Sequence, residues 1–370
     1  MTYFLTLTDA LALDETGRRA IAKDFVSRTE VSRPGVTATF KAPVFNAESP
    51  ALLTIRQKVM RAMLGRDTCS LLVTADSKSS EYLGTVVSWP TQLRRLLDAL
   101  EGFVQADNGV MDARWTSAGM SPSPTTSIGL QPTTAGSTAT KSVTFTGTVT
   151  ASGAKLLARI PGGGAATLTI NGTSQAITIP AVSGFHAIDL AGIAPGPLTV
   201  TIAATADLYV AGIRLSYSTP GLIISNPARP SSAASDWSPG GSTGRWSTIV
   251  AGPATDPDFV ISALGTNEIT NLFAITTYYD ALAARGVPVI IVNPGGLGGA
   301  RTRVEAEALS AHLYSIAQAR DWPLIDFEAV IGTYDQALAH LLMLDTLHEN
   351  SRAALLEALA VYALIFGGLT

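Results

Sequence analysis

The sequence predicts an α/β protein whose parallel sheet, flanked by helices, is interrupted by an all-β sandwich. Three observations carry that reading. Short apolar runs rich in β-branched residues alternate with helical patterns on either side of the chain's middle. The middle itself is a series of short alternating segments separated by turn residues. At 370 residues the chain is long enough for two or three domains.

Taken in order, residues 1–65 hold a helical pattern over 14–25, an extended stretch over 35–45 and a second helix over 51–64. This is too little core to stand alone comfortably, so the region is expected to pack on a neighbour or to serve as an attachment arm. Residues 66–110 form the first part of the α/β domain. The run from Cys69 to Thr74 has the length and branching of a buried strand, which stops at Asp76. After it, 89–104 places Leu93, Leu96, Leu97, Leu100 and Phe103 at helical spacing. Ser77 therefore falls in a strand-to-helix loop, where open α/β sheets place their ligands and main-chain N–H groups converge.

Residues 111–220 change character. A stretch rich in serine, threonine, proline and glycine over 116–140 leads into predicted strands near 143–150, 156–160, 166–170, 175–179, 198–202 and 211–217. Asn171-Gly172 between two of them is a strong hairpin signal, and the whole reads as a small β-sandwich. Its aromatic residues that could stack on a sugar are few: Phe145, Phe185, Tyr209 and Tyr217. In 221–370 the α/β rhythm resumes, with strands near 221–225, 258–264, 287–293 and 323–327 and helices between them. The apolar stretch 353–367, interrupted by Glu357, falls short of the roughly 20 residues a membrane span needs and reads as a buried helix.

Composition excludes several classes. Charged residues make up 15% of the chain and the net charge is −4, which leaves no electrostatic footprint for nucleic acid. A single cysteine, Cys69, rules out an intramolecular disulfide framework and a cysteine-rich zinc site; within a strand it reads as a core residue. The first residues lack a basic segment followed by an apolar run and a cleavage site, so no secretory signal is read there. The glycine-rich run Asn293-Pro-Gly-Gly-Leu-Gly-Gly has neither the lysine nor the spacing of a nucleotide loop. It is expected to be a strand-end loop, with Arg301 and Arg303 after it as candidate substrate contacts. No metal or organic cofactor is implied.

Chemistry concentrates in three short segments. A serine becomes a nucleophile only with a base to take its proton and donors to hold the oxyanion. Of the four histidines, His186 lies in a β stretch, while His312 and His340 fall in helical patterns and read as packing or surface residues. His348 sits in the polar turn Asp345-Thr-Leu-His-Glu-Asn, with a carboxylate three positions before it, a spacing that lets Asp345 orient the imidazole. The competing reading is a capped helix junction, since Asp345 and Asn350 both make good caps. Asn267, in Gly265-Thr266-Asn267-Glu268, follows the strand predicted at 258–264 and repeats the placement of Ser77.

In order along the chain, Asp76-Ser77, Gly265-Thr266-Asn267-Glu268 and Asp345-Thr346-Leu347-His348 resemble the first, third and fifth blocks of the SGNH, or GDSL-like, hydrolases. The resemblance covers 66–110 and 221–370. It implies a flavodoxin-like SGNH hydrolase fold and a serine esterase in which Ser77 attacks, His348 is the base, Asp345 orients it, and the Ser77 N–H with Asn267 holds the oxyanion. The implied substrate is an acylated glycan or cell-envelope ester, from which an acyl group, an acetyl among them, is removed. The inserted sandwich resembles carbohydrate-binding-like modules on phage tails and cell-surface enzymes. It implies a virion tail or extracellular-acting setting, with virion tail proteins as partners and no membrane insertion.

Two departures from the family pattern stand out. Ala75 replaces the glycine before Asp76, and the second-block loop within 221–231 has no glycine to offer an N–H. Pro227 and Pro230 have none to give, which leaves Ala228, Arg229 or Ser231, with Ala228 as the weak third candidate for the oxyanion hole. Losing one such donor costs about 2.7–4 kcal/mol of transition-state stabilisation. The alternative is thus a non-catalytic receptor-binding or structural tail protein with a degenerate hydrolase fold. A third reading, acyl transfer to a glycan instead of water, uses the same residues.

Overall fold

A computed structural model describes residues 44–80, 86–106, 113–122, 128–182, 184–268, 270–297 and 301–366. The helix expected at 14–25, and the extended stretch 35–45 up to its last two residues, lie outside these. The described chain begins with β1 (Val44–Phe45), α1 (Pro50–Met63), β2 (Cys69–Ala75), α2 (Trp89–Leu96) and β3 (Leu100–Glu101). Eleven antiparallel strands follow: β4 (Phe103–Gln105), β5 (Trp115–Ala118), β6 (Met120–Pro122), β7 (Leu130–Pro132), β8 (Lys141–Val149), β9 (Gly153–Arg159), β10 (Gly164–Ile170), β11 (Thr173–Ile179), β12 (His186–Leu190), β13 (Gly196–Ala204) and β14 (Tyr209–Ser216). The α/β pattern then returns with β15 (Leu222–Ser225), β16 (Phe259–Ala263), α3 (Leu272–Ala284), β17 (Val289–Asn293), α4 (Arg303–Arg320), β18 (Leu324–Asp326), α5 (Phe327–Ile331), α6 (Tyr334–Ala339) and α7 (Ser351–Phe366).

The α/β strands form one sheet in the order β1-β18-β17-β16-β2-β15-β3, parallel throughout except at β1, which pairs antiparallel with β18. Its central strands are apolar on both faces because both faces are covered. Leu71 and Val73 of β2, Ile261 of β16 and Val292 of β17 enter a core with Ile55 and Val59 of α1, Leu93 of α2 and Ala358 and Val361 of α7. The alternating residues Leu72, Val260 and Ile291 face the other way, against Ile275 and Tyr278 of α3 and Leu309 and Leu313 of α4. Because α1 packs on α7 and the sheet, and Arg56 hydrogen-bonds the Leu364 carbonyl near the end of α7 (2.7 and 3.0 Å), this part of 1–65 is built into the α/β layer.

The intervening strands form two antiparallel sheets, β11-β10-β13-β8-β5 and β12-β9-β14-β7-β6, with β4 also paired to β14. Their inner faces share one core, in which Phe145, Leu168, Val200 and Ile202 of one sheet meet Leu156, Ala158, Val210 and Ile213 of the other. The Asn171-Gly172 turn joins β10 to β11 with both residues at positive φ, 46° and 85°, as a tight two-residue hairpin requires. Strands β5, β6 and β7 were not foreseen, and β12 was read only as a β stretch at His186. They are short or sit at sheet edges, where irregular local sequence is recruited by a ready partner strand.

One expectation is corrected at the junction. The helix foreseen over 89–104 ends at Leu96, and Asp98 at φ 50° turns the chain so that Leu100 and Phe103 lie in strands. Pairing overrides the helical spacing here. The Gly102 N–H donates to Ile224 O in β15 (2.9 Å), and its carbonyl accepts from Leu215 N in β14 (3.2 Å), so a single residue stitches the parallel sheet to the antiparallel layer. The antiparallel layer therefore starts at Phe103, before residue 111. Phe103, Leu157 and Ala211 are buried in the same cluster as Val260 and Ile275, so sandwich and α/β layer share a core.

Candidate active site

Ser77, Asn226 and Asn267 follow the C-terminal ends of β2, β15 and β16, adjacent strands in the sheet. The chain reverses its direction of sheet growth here, passing from β15 on one side of β2 to β16 on the other, and such a switch point opens a crevice at the strand ends. After β2, Asp76 caps a 3₁₀ turn, Ser77–Ser79, its Oδ1 accepting from the Lys78 N–H at 3.0 Å. The turn is held from outside. Trp89 Nε1 donates to Ser79 Oγ (2.8 Å), Asn226 Nδ2 donates to Ser79 O (2.9 Å), and Ser80 Oγ donates to Ser77 O (2.9 Å).

His348 comes from the loop before α7. Asp345 Oδ1 accepts from the main-chain N–H groups of Leu347 and His348, both at 2.7 Å, while its Oδ2 lies 2.8 Å from His348 Nδ1. The other ring nitrogen, Nε2, is 2.9 Å from Ser77 Oγ. Serine, imidazole and carboxylate thus stand in one hydrogen-bonded line. Burial works against the charge of Asp345, but the two main-chain donors and the imidazole outweigh it and hold its carboxyl below the usual range. The capping reading holds as well: Asn350 Oδ1 accepts from Arg352 N (2.9 Å) and Ala353 N (3.3 Å) at the start of α7.

Asn267 and Glu268 brace the loop after β15. Asn267 Nδ2 donates to Ser232 O at 2.9 Å, and the Glu268 carboxylate accepts from the N–H groups of Ala234 and, at 2.9 Å, Ser235. In that loop the Ala228 N–H turns toward Asn226 Oδ1 at 3.4 Å, and Ser231 takes the left-handed conformation, φ 61°, that glycine would favour. A buried Arg245 supports it from beneath, donating to Pro227 O (3.1 Å) and lying 4.9 Å from the Trp237 ring centre.

Arg301 and Arg303, read from the sequence as candidate substrate contacts, both bond within the chain, Arg301 half-buried and Arg303 exposed on the surface. Arg301 donates to Thr266 O at 3.0 and 3.2 Å, steadying the residue before Asn267, and Arg303 pairs with Glu307 and Glu328. His312 hydrogen-bonds Thr276 Oγ1 at 3.0 Å, His340 caps the end of α6, and His186 begins β12. The sandwich aromatics are also spoken for. Phe145 is fully buried, Phe185 packs on the α/β core, Tyr209 lies under Arg159, and Tyr217 donates to Glu101 O.

Two features near Ser77 escaped the sequence reading. Asp76 is fully buried, and desolvation, assisted by Glu349 and opposed by the Lys78 N–H and ammonium, pushes its carboxyl up to about 6. Lys78 is buried too, and ion-pairs with Glu349. The signal for both was a charged residue on each side of a serine at the end of an apolar strand.

No family model matches the chain, and no curated protein matches its sequence. Solved structures do. A peptidoglycan O-acetylesterase superposes with a TM-score of 0.63 at 19% identity, over 88% of this chain and 99% of that one. A family two carbohydrate esterase from Clostridium thermocellum aligns at 11% identity over 69% of this chain and 99% of that one, with a TM-score of 0.28. An acetyl xylan esterase from Geobacillus stearothermophilus aligns at 16% identity over 40% and 73%, with a TM-score of 0.30. The architecture and the first likeness place the chain among proteins of the SGNH-like hydrolase fold. Among the described residues, no helix is long and apolar enough to cross a membrane.

Proposed function

We propose that the chain is a serine esterase that removes acyl groups, acetyl foremost, from an acylated glycan of the cell envelope. The observation that carries this reading is the 2.9 Å approach of Ser77 Oγ to His348 Nε2, with Asp345 on the far ring nitrogen. In the proposed cycle Ser77 Oγ attacks the ester carbonyl while His348 Nε2 takes its proton, and Asp345 stabilises the resulting imidazolium. The imidazolium then protonates the leaving alkoxide of the glycan, leaving an acyl-serine. Water, deprotonated by the same imidazole, releases the carboxylic acid and restores Ser77.

The oxyanion faces the Ser77 N–H, which donates to no carbonyl or side chain among the described residues. It also faces Asn267, whose amide spends one hydrogen on Ser232 O and keeps a second for substrate. Glycan as the acyl carrier is supported by the likeness to a peptidoglycan O-acetylesterase, which extends over 88% of the chain. A phage tail or another surface-acting setting, the one the family resemblance suggests, would present such an ester.

Incubation with p-nitrophenyl acetate and with O-acetylated peptidoglycan, alongside Ser77→Ala, tests the reading. Acetate release that depends on Ser77 is expected. Turnover that survives the substitution removes Ser77 from the mechanism.

A further inference from the structure

Lys78 follows the proposed nucleophile, yet its side chain belongs to the histidine loop. Its Nζ donates to Leu347 O at 2.9 Å and ion-pairs with Glu349, so it grips the residues immediately before and after His348. Both side chains are sealed from solvent, at 7% and 3% exposure. The arrangement continues into α7, where Glu357, the one charge in an apolar stretch, is 2% exposed and lies within electrostatic range of Lys78 and Glu349. Burial raises the Glu357 carboxyl well above its ordinary range, with Glu349 adding to the rise and Lys78 opposing it. The other side of the histidine loop is confined as well: a bridge joins Met343 to Glu349, and a Cβ on Gly296 would stand 3.3 Å from Glu349 Oε1 and from Met343.

We propose that Lys78 is a positioning residue which, by holding Leu347 and Glu349, sets the distance between Ser77 Oγ and the His348 imidazole. The inference rests on the esterase reading for its consequence, though its geometry stands apart from it. Ser77 and Lys78 are consecutive, and so are Leu347, His348 and Glu349. One side chain thereby couples nucleophile and base, across two loops that also meet at the Ser77–His348 hydrogen bond. A misplacement of about 1 Å between reacting groups can cost on the order of a hundredfold in rate. A buried ammonium is a strong spacer because neither it nor Glu349 can be released to water without leaving the other charge unpaired.

The test uses the full chain with Lys78→Met and Glu349→Gln combined, which removes both buried charges together and so avoids stranding one. Near-UV circular dichroism reads the fold. Three quantities are compared with wild type: kcat and KM on p-nitrophenyl acetate, the rate at which a fluorophosphonate labels Ser77, and the downfield imidazole N–H proton resonance, assigned by its loss in His348→Ala. The expected result is a folded variant with kcat and labelling reduced about a hundredfold, KM within about threefold, and the resonance lost. In a His348→Ala background the same change should lower the residual rate no further, because the lysine acts through the imidazole. Unchanged labelling with the resonance intact, or losses that add in the His348→Ala background, overturn the proposal. If the combined variant does not fold, Glu349→Gln alone decides: it should slow labelling about tenfold, and an unchanged rate counts against the role. Should the wild type neither turn over ester nor react with the probe, the esterase reading fails by itself. The resonance then settles the positioning role, its survival without Lys78 being the contrary result.

Discussion

Ser77 Oγ and His348 Nε2 meet at 2.9 Å although 271 positions separate them in the chain. That contact exists because β2 lies at the centre of the parallel sheet and its C-terminal turn opens toward the loop that enters α7. The antiparallel sandwich, inserted between these two points, leaves the geometry intact because the chain departs from the sheet at Gly102 and re-enters it with β15, which lies between β3 and β2.

Removing any member of the line should therefore disable the others. Ser77→Ala and His348→Ala are each expected to lower kcat by on the order of 10⁴- to 10⁶-fold, and the double variant should fall no further, since the two act as one unit. Asp345→Asn is expected to cost on the order of 10⁴-fold by fixing the wrong imidazole tautomer. Steady-state kinetics on p-nitrophenyl acetate measure all four. Additive losses in the double variant would show that serine and histidine work independently.

Asn267 holds Ser232 O with one amide hydrogen, and the proposed cycle uses the other for the oxyanion. Asn267→Ala should reduce kcat by about 10²- to 10³-fold with little change in KM, the signature of a donor engaged mainly in the transition state. Glu268→Gln, next to it, should act on stability instead, because its carboxylate bonds the N–H groups of Ala234 and Ser235. Urea titration together with kinetics separates the two residues. A KM effect at Asn267 that matches the kcat effect would argue for substrate binding in place of oxyanion stabilisation.

One candidate segment was legible because a carboxylate stands three positions before His348 in a polar turn between helices, and the other two because Ser77 and Asn267 follow β-branched runs that mark strand ends plainly. Both-face burial of β2, β16 and β17 was legible for the same reason. The helix expected across Leu100 and Phe103 was not borne out, since those side chains keep helical spacing while their backbone groups find better partners in β15 and β14. Nor could the sequence show what Lys78 and Glu357 do. Lys78 stood among serines in a polar turn and was not singled out, and its relation to Glu357 depends on α7 packing beside that turn. Glu357 entered only as the residue that breaks a hydrophobic stretch.

Gly265, which opens the Asn267 turn, has φ 132°, and a Cβ there would stand 2.9 Å from Leu309 Cδ1. Gly265→Ala adds backbone strain and a clash with a fully buried side chain. A loss of about 1–3 kcal/mol of stability is expected, together with reduced kcat as Asn267 is displaced. The midpoint of urea unfolding should fall with its slope unchanged. A variant as stable as wild type would mean that the turn relaxes freely and does not fix Asn267.

Asp76 gives the protein a pH dependence of unusual sign for a carboxylate. Its folded-state value is about 6, against 3.8 for the ordinary group, chiefly because it is fully buried. Between those values the folded state keeps a proton that the unfolded chain has released, so its contribution to stability falls as pH rises from about 4 to about 6. Above that window the buried carboxylate is ionised at a cost of about 3 kcal/mol, at about 1.36 kcal/mol per unit. Asp76→Asn retains an acceptor for the Lys78 N–H and removes the titration. It should be more stable than wild type at pH 8 by up to that amount, with the difference shrinking toward zero below pH 4. Glu357, also raised, tilts the wild-type curve the same way, so the informative quantity is the difference between variant and wild type across the series. Urea unfolding at half-unit steps from pH 4 to 8 measures it, and a difference that stays flat across that range would place the proton elsewhere.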